Sequence, residues 1–172
     1  MNDHDGSQDA FPAEQARAYY YGKYRGIVTQ VDAKTCRIKA QVPSVLGDVE
    51  SGWCLPCVPY AGPQVGIAFL PETGSAVWIE FEGGDVSFPI WAGCFWRDGE
   101  PPPDVGAHVK VVATTAPHKL ILDDDKGSVT LTDPNGNSVT LDTSGITISN
   151  GSQQVVVSAA SVSVNNGALE VI

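Results

Sequence analysis

Apolar residues in the last third of the chain occur in pairs separated by one residue, and the pairs recur every seven to ten positions. The residue between the two is usually Thr, Ser or Glu, as in Val129-Thr130-Leu131. Such alternation is typical of short β-strands and leaves no room for helices. Turn sequences rich in Gly and Asn, which accept positive φ, separate the pairs. The pattern predicts seven strands with these paired positions: Leu120, Leu122, Val129, Leu131, Val139, Leu141, Ile146, Ile148, Val155, Val157, Val162, Val164, Leu169 and Val171.

A ribbon of such strands has too few apolar side chains to form a core by itself, because each strand contributes two and all lie on one face. The face must therefore pack against other copies of the ribbon. Identical copies around one axis would enclose the apolar pairs, and three copies make the smallest closed prism. Seven strands at a spacing of roughly 4.8 Å give a stiff rod about 30 Å long. A rod without a pocket indicates a mechanical role.

The region from Tyr24 to Trp96 predicts a second β structure. Apolar and polar residues alternate clearly from Val77 to Glu82, and turn signals such as Gly62-Pro63 separate the segments. Five successive strands of this kind suit a small Greek-key barrel of the OB type. The predicted strands span residues 25–31, 36–42, 52–58, 76–82 and 90–96.

Specific motifs in this region point to a known family. They run in order from Tyr24-Arg25-Gly26-Ile27-Val28, through the stretch from Pro71 to Asp85, to Phe88-Pro89-Ile90-Trp91-Ala92-Gly93. The region resembles the OB-fold domain of phage baseplate assembly protein V and of the central spikes of contractile tails, including the VgrG spikes of type VI secretion. The residues that carry the family motif are Gly74, Trp78, Glu80, Phe81, Gly84, Asp85, Pro89, Trp91 and Gly93.

The resemblance implies an all-β homotrimer in which the OB-fold barrel is followed by an intertwined triple-stranded β-helix. The expected segments are a flexible acidic arm at 1–18, an OB-fold hub domain at 19–97, a linker at 98–118 and a β-helix spike at 119–172. The linker is rich in proline, and residues 109–113 could add a further strand.

The implied function is that of a structural central spike, which pierces the target envelope when a tail sheath contracts. Hub and tube proteins would contact the OB end. The alternative is an OB-fold module that binds a glycan or single-stranded nucleic acid on a trimeric stalk. An enzyme is disfavoured, because the sequence shows no catalytic set and has no room for the lysozyme domain that some spikes carry. No cofactor is expected.

The net charge of the chain disfavours nucleic acid as a partner, and targeting signals bear on where the protein is assembled. The chain has 10 Lys and Arg against 20 Asp and Glu, a net charge of −10, whereas nucleic-acid binding uses clustered cations. The same argument favours packing over base stacking for Tyr19, Tyr20, Tyr21 and Tyr24. No signal peptide or membrane-spanning segment is apparent. We therefore expect assembly in the bacterial cytoplasm into a virion or injection particle that contacts the target membrane only transiently.

Candidate metal ligands are weakly supported. Cys54 and Cys57 have the spacing of a zinc or redox pair, but Cys36 and Cys94 stand apart from them, so small buried side chains on strands are predicted for all four. The run Asp123-Asp124-Asp125 lacks the spacing of a calcium loop and predicts a solvated turn.

The histidines leave a metal site open as an alternative, and the tail, which has no His, bears on how the tip is formed. His108 and His118 could meet around a threefold axis and hold a metal, although no accompanying motif supports this. Some short spike relatives bind iron through a His-x-His at the apex, and the tail of this chain has no His. The resemblance then implies a separate PAAR-type tip protein, for which the predicted docking platform is Leu169, Val171 and Ile172.

Overall fold

The computed structural model describes residues 18–172, with backbone only at Glu170. The chain divides into two compact units between Arg97 and Asp98. The regular secondary structure of both units is almost entirely β-strand, which confirms the predicted all-β class. The predicted acidic arm, apart from Ala18, lies outside the described residues.

The first unit contains a curled five-stranded sheet and a separate small hairpin. The sheet has the strand order β2-β1-β6-β7-β3, in which β3 and β7 are parallel and the other neighbours antiparallel. The hairpin is formed by β4 and β5. In chain order the elements are β1 (Tyr24–Asp32), β2 (Arg37–Gln41), α1 (Pro43–Leu46), β3 (Leu55–Pro56), β4 (Ala61–Gly62), β5 (Val65–Gly66), β6 (Ala76–Phe81), a 3-10 turn (Glu82–Gly84) and β7 (Pro89–Cys94).

The core of this unit lies inside the curl of the sheet. Along β6, Val77, Ile79 and Phe81 are buried while Trp78 and Glu80 lie on the other face, as the alternation predicted. Single bridges join Ile38 to Cys54 and Gln41 to Glu50, and these link β2 to the segment just before β3. The two ends of the sheet are thereby brought together around the core. The core also contains Val28, Ile38, Ala40, Val42, Cys54, Ala76 and Trp91.

Two local predictions for this unit are wrong. The predicted strand at 52–58 is reduced to Leu55–Pro56, because prolines at 56 and 59 cannot donate ladder hydrogen bonds. The cysteines are buried only at Cys54, whereas Cys57 and Cys94 are exposed and Cys36 is half-buried in a turn. The short helix α1, which begins with Pro43 in its first turn, was not predicted.

The second unit is an eight-stranded antiparallel meander in which each strand pairs with the next along the chain. All seven strands predicted from the apolar pairs are present. An additional strand, β8, lies within the predicted linker. Each inner strand has neighbours from its own chain on both sides, so β8 and β15 are the sheet edges. The strands are β8 (Val109–Ala113), β9 (Lys119–Asp123), β10 (Ser128–Thr132), β11 (Ser138–Asp142), β12 (Gly145–Ser149), β13 (Gln154–Val157), β14 (Val162–Val164) and β15 (Leu169–Val171).

Candidate functional site

The main candidate surface is the apolar face of the second unit. Residues that lie directly opposite each other in an antiparallel pair point to the same face. From β9 to β15 the register places apolar pair opposite apolar pair, as with Leu131 and Val139 or Leu141 and Ile146. The face consists of two columns of eight positions. The first column is Val112, Leu120, Leu131, Val139, Ile148, Val155, Val164 and Leu169, and the second is Lys110, Leu122, Val129, Leu141, Ile146, Val157, Val162 and Val171.

This apolar face is not covered within the chain. Leu131 and Ile148 are each 53% exposed, and Leu141 is 44% exposed. An open groove of about 550 Å³ runs over the first column, with Val139 and Val155 in its lining. Continuous apolar surface of this kind marks an interaction site. The face therefore needs a partner, as the sequence pattern predicted.

The opposite face of the sheet is polar at its centre but also contains Val111, Ile121 and Val156. Its central column contains Thr130, Thr140 and Thr147, which lie opposite one another on β10, β11 and β12. Antiparallel sheets commonly have one apolar face and one solvated face, and hydroxyl side chains suit the solvated one. The two faces of the same strands therefore differ in composition.

The turn between β9 and β10 differs from its prediction at Asp123. Asp123 is buried rather than solvated, and its carboxylate accepts hydrogen bonds from the backbone N–H and the Nζ of Lys126 at 3.0 and 2.7 Å. These contacts with Lys126 hold the pKa of Asp123 below its usual value. Asp124 is exposed and accepts a hydrogen bond from Lys110 Nζ at 2.8 Å. Asp123 and Asp124 therefore stabilise the turn through hydrogen bonds with lysines.

Asp133 organises the turn between β10 and β11. Its carboxylate accepts hydrogen bonds from the side chain and backbone N–H of Asn137, at 2.6 and 2.9 Å, and from those of Asn135, at 3.2 and 2.9 Å. These donors, with the Asn137 side chain first, lower the pKa of Asp133 to about 2. The charged form of Asp133 therefore stabilises this turn.

Replacing Asp133 with Ala should lower the melting temperature at pH 7 but have little effect at pH 2. The folded-state pKa is depressed, so the contribution is present above pH 4 and is lost as the pH falls from about 4 to about 2. Thermal unfolding followed by circular dichroism across this range tests it. Asp142→Ala, which removes the single acceptor of the Ser144 N–H, is the control and should have a smaller effect at pH 7. A gap between wild type and Asp133→Ala that stays constant to pH 2 would contradict this role.

In the first unit, the motif residues serve local structural roles. Pro89 begins β7, as predicted. A Cβ on Gly84 would come within 3.0 Å of the Tyr20 nitrogen, which donates to the Gly84 carbonyl at 2.8 Å. This close approach requires glycine and allows the rings of Tyr20 and Tyr24 to pack against Phe81. The predicted packing role is confirmed for these two tyrosines.

The remaining motif residues have local contacts of their own. Gly74 and Gly93 have positive φ. The Asp85 carboxylate accepts a hydrogen bond from the Ser87 N–H, and the Trp91 indole donates one to the Cys36 carbonyl.

The outer face of β6 carries an aromatic and cationic cluster. The rings of Trp78 and Phe95 lie 4.7 Å apart, and the Arg25 guanidinium carbon lies 6.0 and 5.7 Å from their centroids. Lys23 forms an ion pair with Glu80 beside it. These side chains contact one another within the unit. The presence of Trp78 and Glu80 in the motif is therefore explained by structure.

The described residues give little support for a metal-binding site. No group of three or more His, Cys, Asp or Glu side chains is placed to hold an ion among residues 18–172. His108 and His118 are exposed, and His118 Nδ1 lies 3.2 Å from Thr114 Oγ1. The arrangement around a threefold axis that would bring copies of these histidines together stays a prediction.

The candidate tip residues lie at the β15 edge. Leu169 and Val171 are each 62% exposed and Ile172 is fully exposed. Leu169 and Val171 end the two apolar columns, opposite Val164 and Val162. Because β15 is an edge strand, one side of its backbone also lacks a strand partner.

Two family models match the chain. Residues 24–96 match the type VI secretion system/phage-baseplate injector OB domain, which confirms the OB-fold prediction. Residues 109–170 match the phage baseplate V C-terminal trimerisation domain, and this match begins at the first residue of β8. The protein is therefore a homotrimer, as predicted. A search among curated proteins found no match.

Proposed function

Because this chain belongs to the phage baseplate V family, we propose that it is the central spike of a contractile phage tail or of a related injection particle. The family itself establishes the coarser role, which is that of a structural baseplate component in a virion or injection particle. Within residues 18–172, no helix has the length and apolarity needed to cross a membrane.

The observation that carries the proposal is the long apolar face of the second unit. Fifteen of its sixteen positions are apolar, and the register keeps them in two straight columns over eight strands. Three such faces turned towards one axis would bury each other and form a closed triangular β-helix. The polar Thr and Ser columns would then face water.

The proposed shape suits axial load. Strands stacked along the axis of a rod place their backbone hydrogen bonds along that axis, where many bonds share a compressive force. Eight strands with a spacing of roughly 4.8 Å span about 34 Å. We propose that contraction of a sheath supplies the energy and that the rod pierces the target envelope. This mechanical role needs no bond chemistry.

The proposal also assigns the rod a direction, based on the chemistry of its two ends. The OB domain would bind hub and tube proteins, while the β15 end would point outwards. Leu169, Val171 and Ile172 combine exposed apolar side chains with an open strand edge. This combination supports the docking of a separate PAAR-type tip protein, which could cover both the side chains and the unpaired backbone groups.

Locating the two units within purified particles tests the proposed function. A short epitope inserted at Gly151, in the exposed turn between β12 and β13, should place bound antibody fragments on the distal axis of the baseplate in electron micrographs. The same epitope at Gln64, in the hairpin of the OB unit, should label a position closer to the tube. Density beyond the β15 end of the rod is expected for a tip protein.

The contrary outcomes are distinct. Label found away from the baseplate axis would overturn the central-spike assignment. Label on the axis with the Gly151 epitope closer to the tube would reverse the proposed direction. An axial rod in intact particles without density beyond β15 would remove the tip-protein proposal alone.

A further inference from the structure

Lys110 is an exception on the apolar face. It lies directly opposite Leu122 and shares a face with Val112, two positions along β8. Among the sixteen positions of the two columns, all within the described residues, it is the one charged side chain. A lysine at such a position is unfavourable in an enclosed apolar interior unless its charge is paired.

The structure supplies that pairing. Lys110 Nζ donates to Asp124 Oδ2 at 2.8 Å and to the Ala107 carbonyl at 3.4 Å. The turn that carries Asp124 is held in place from the same side, since the Asp124 N–H donates to the His108 carbonyl at 2.9 Å. The ion pair, whose two side chains are 59% and 62% exposed in the single chain, lies at the β8 end of the columns.

The other layers of the face cannot specify how three chains align along the axis. Each consists of a pair of Val, Ile or Leu residues, so one layer resembles the next. Sliding a chain by two strands, about 10 Å, restores strand direction and again sets apolar pair against apolar pair. Burial alone therefore discriminates weakly between the aligned trimer and a slipped one.

We propose that Lys110 and Asp124 of the three copies form a ring of ion pairs that fixes the alignment of the chains. In the aligned trimer the three ammonium groups and three carboxylates lie in one layer. In a trimer slipped by two strands, Lys110 of one chain faces the Val129 and Leu131 layer of its neighbours, away from the other two ion pairs. A single polar layer that selects register at some cost in stability is well attested in coiled coils. The ring requires the apolar face to be turned inwards, so it rests on the proposed function.

The test compares two neutralised ion pairs on opposite faces of the same sheet. Lys110→Met with Asp124→Asn removes the proposed ring. The control is Lys119→Met with Asp104→Asn, which removes the ion pair between Lys119 and Asp104. Lys119 lies opposite Ala113 and Thr132, on the other face of the sheet from the apolar columns. Each full-length protein is expressed with photo-leucine in place of leucine, then unfolded, refolded and irradiated. Cross-links between chains are mapped by mass spectrometry.

Cross-links in wild type and in the Lys119 variant should join the same or adjacent strand layers. The Lys110 variant should remain trimeric and show a several-fold increase in cross-links displaced by two strands. Lys110→Glu with Asp124→Lys restores opposite charges and should return the wild-type map. This rescue separates a role in register from a general loss of folding.

Two results would overturn the ring. One is a Lys110 variant whose cross-link map matches wild type. The other is a Lys110 variant that forms no trimer, because the pair would then supply stability rather than alignment. A wild-type protein that is trimeric but whose apolar leucines never cross-link between chains would instead overturn the proposed inward face.

Discussion

Replacing Ile148 with Asp should abolish the trimer, whereas replacing its neighbour Thr147 with Asp should not. Both residues lie on β12 and differ in the face that they occupy. In a single chain Ile148 is 53% exposed, so the strand itself can accommodate Asp there. Enclosure in the trimer would bury three unpaired carboxylates, each at a cost of several kcal/mol. It would also forgo the burial of the exposed half of the Ile148 side chain, about 1 kcal/mol per copy.

Size-exclusion chromatography with light scattering measures the outcome directly. Ile148→Asp should elute as monomer or as irregular aggregate, while Thr147→Asp should retain the trimeric mass and most of the thermal stability. A trimer that persists in Ile148→Asp at micromolar concentration would show that the apolar face lies outside the interface. Loss of the trimer in both variants would indicate that β12 tolerates no Asp on either face.

Replacing Gly145 with Ala should be the most damaging of the glycine-to-alanine changes in the turns of the second unit. Gly145 begins β12 with φ of +137°, and a Cβ there would lie 2.1 Å from the Val157 carbonyl oxygen. Val157 is the partner of Ile146 in the pairing of β12 with β13. Since the obstructing atom belongs to the backbone, relief requires these strands to separate, and the damage occurs three times per trimer.

Gly136→Ala is the matched control. Gly136 has φ of +87°, and a Cβ there would meet no atom within 4 Å. Its cost is conformational only, about 1–2 kcal/mol per copy. Thermal unfolding should therefore show a much larger drop in melting temperature for Gly145→Ala than for Gly136→Ala. Equal drops would mean that the strands yield easily and that the close approach at Gly145 has little consequence.

Local patterns predicted much of this protein because its strands are short and regular. A pair such as Val129 and Leu131 defines a strand and its apolar face without reference to other parts of the chain. The turn chemistry is equally local, and Asn165 and Asn166 do adopt positive φ as such turn sequences require. The OB domain was recognised from motif residues such as Gly84 and Pro89, whose roles the structure explains.

The missed features depend on distant contacts or on weak local signals. Nothing in the run of three aspartates indicates that Asp123 alone is buried, because its surroundings come from the folded turn and from β8. The hairpin of β4 and β5 has two residues per strand, too few for alternation to be visible. The strand at Val109–Ala113 was predicted only as a possible addition within the linker, and the structure shows it paired with β9.

The sequence by itself determined the faces of the strands, since alternation with a period of two decides which side chains lie together. Only the tertiary structure decided the register, which depends on how many residues each turn consumes and which backbone groups meet across it. Register aligns the pairs into two continuous columns and sets Lys110 opposite Leu122. The need for partner chains was therefore apparent from the pattern, whereas the charged layer at one end of the apolar face was visible only in the folded sheet.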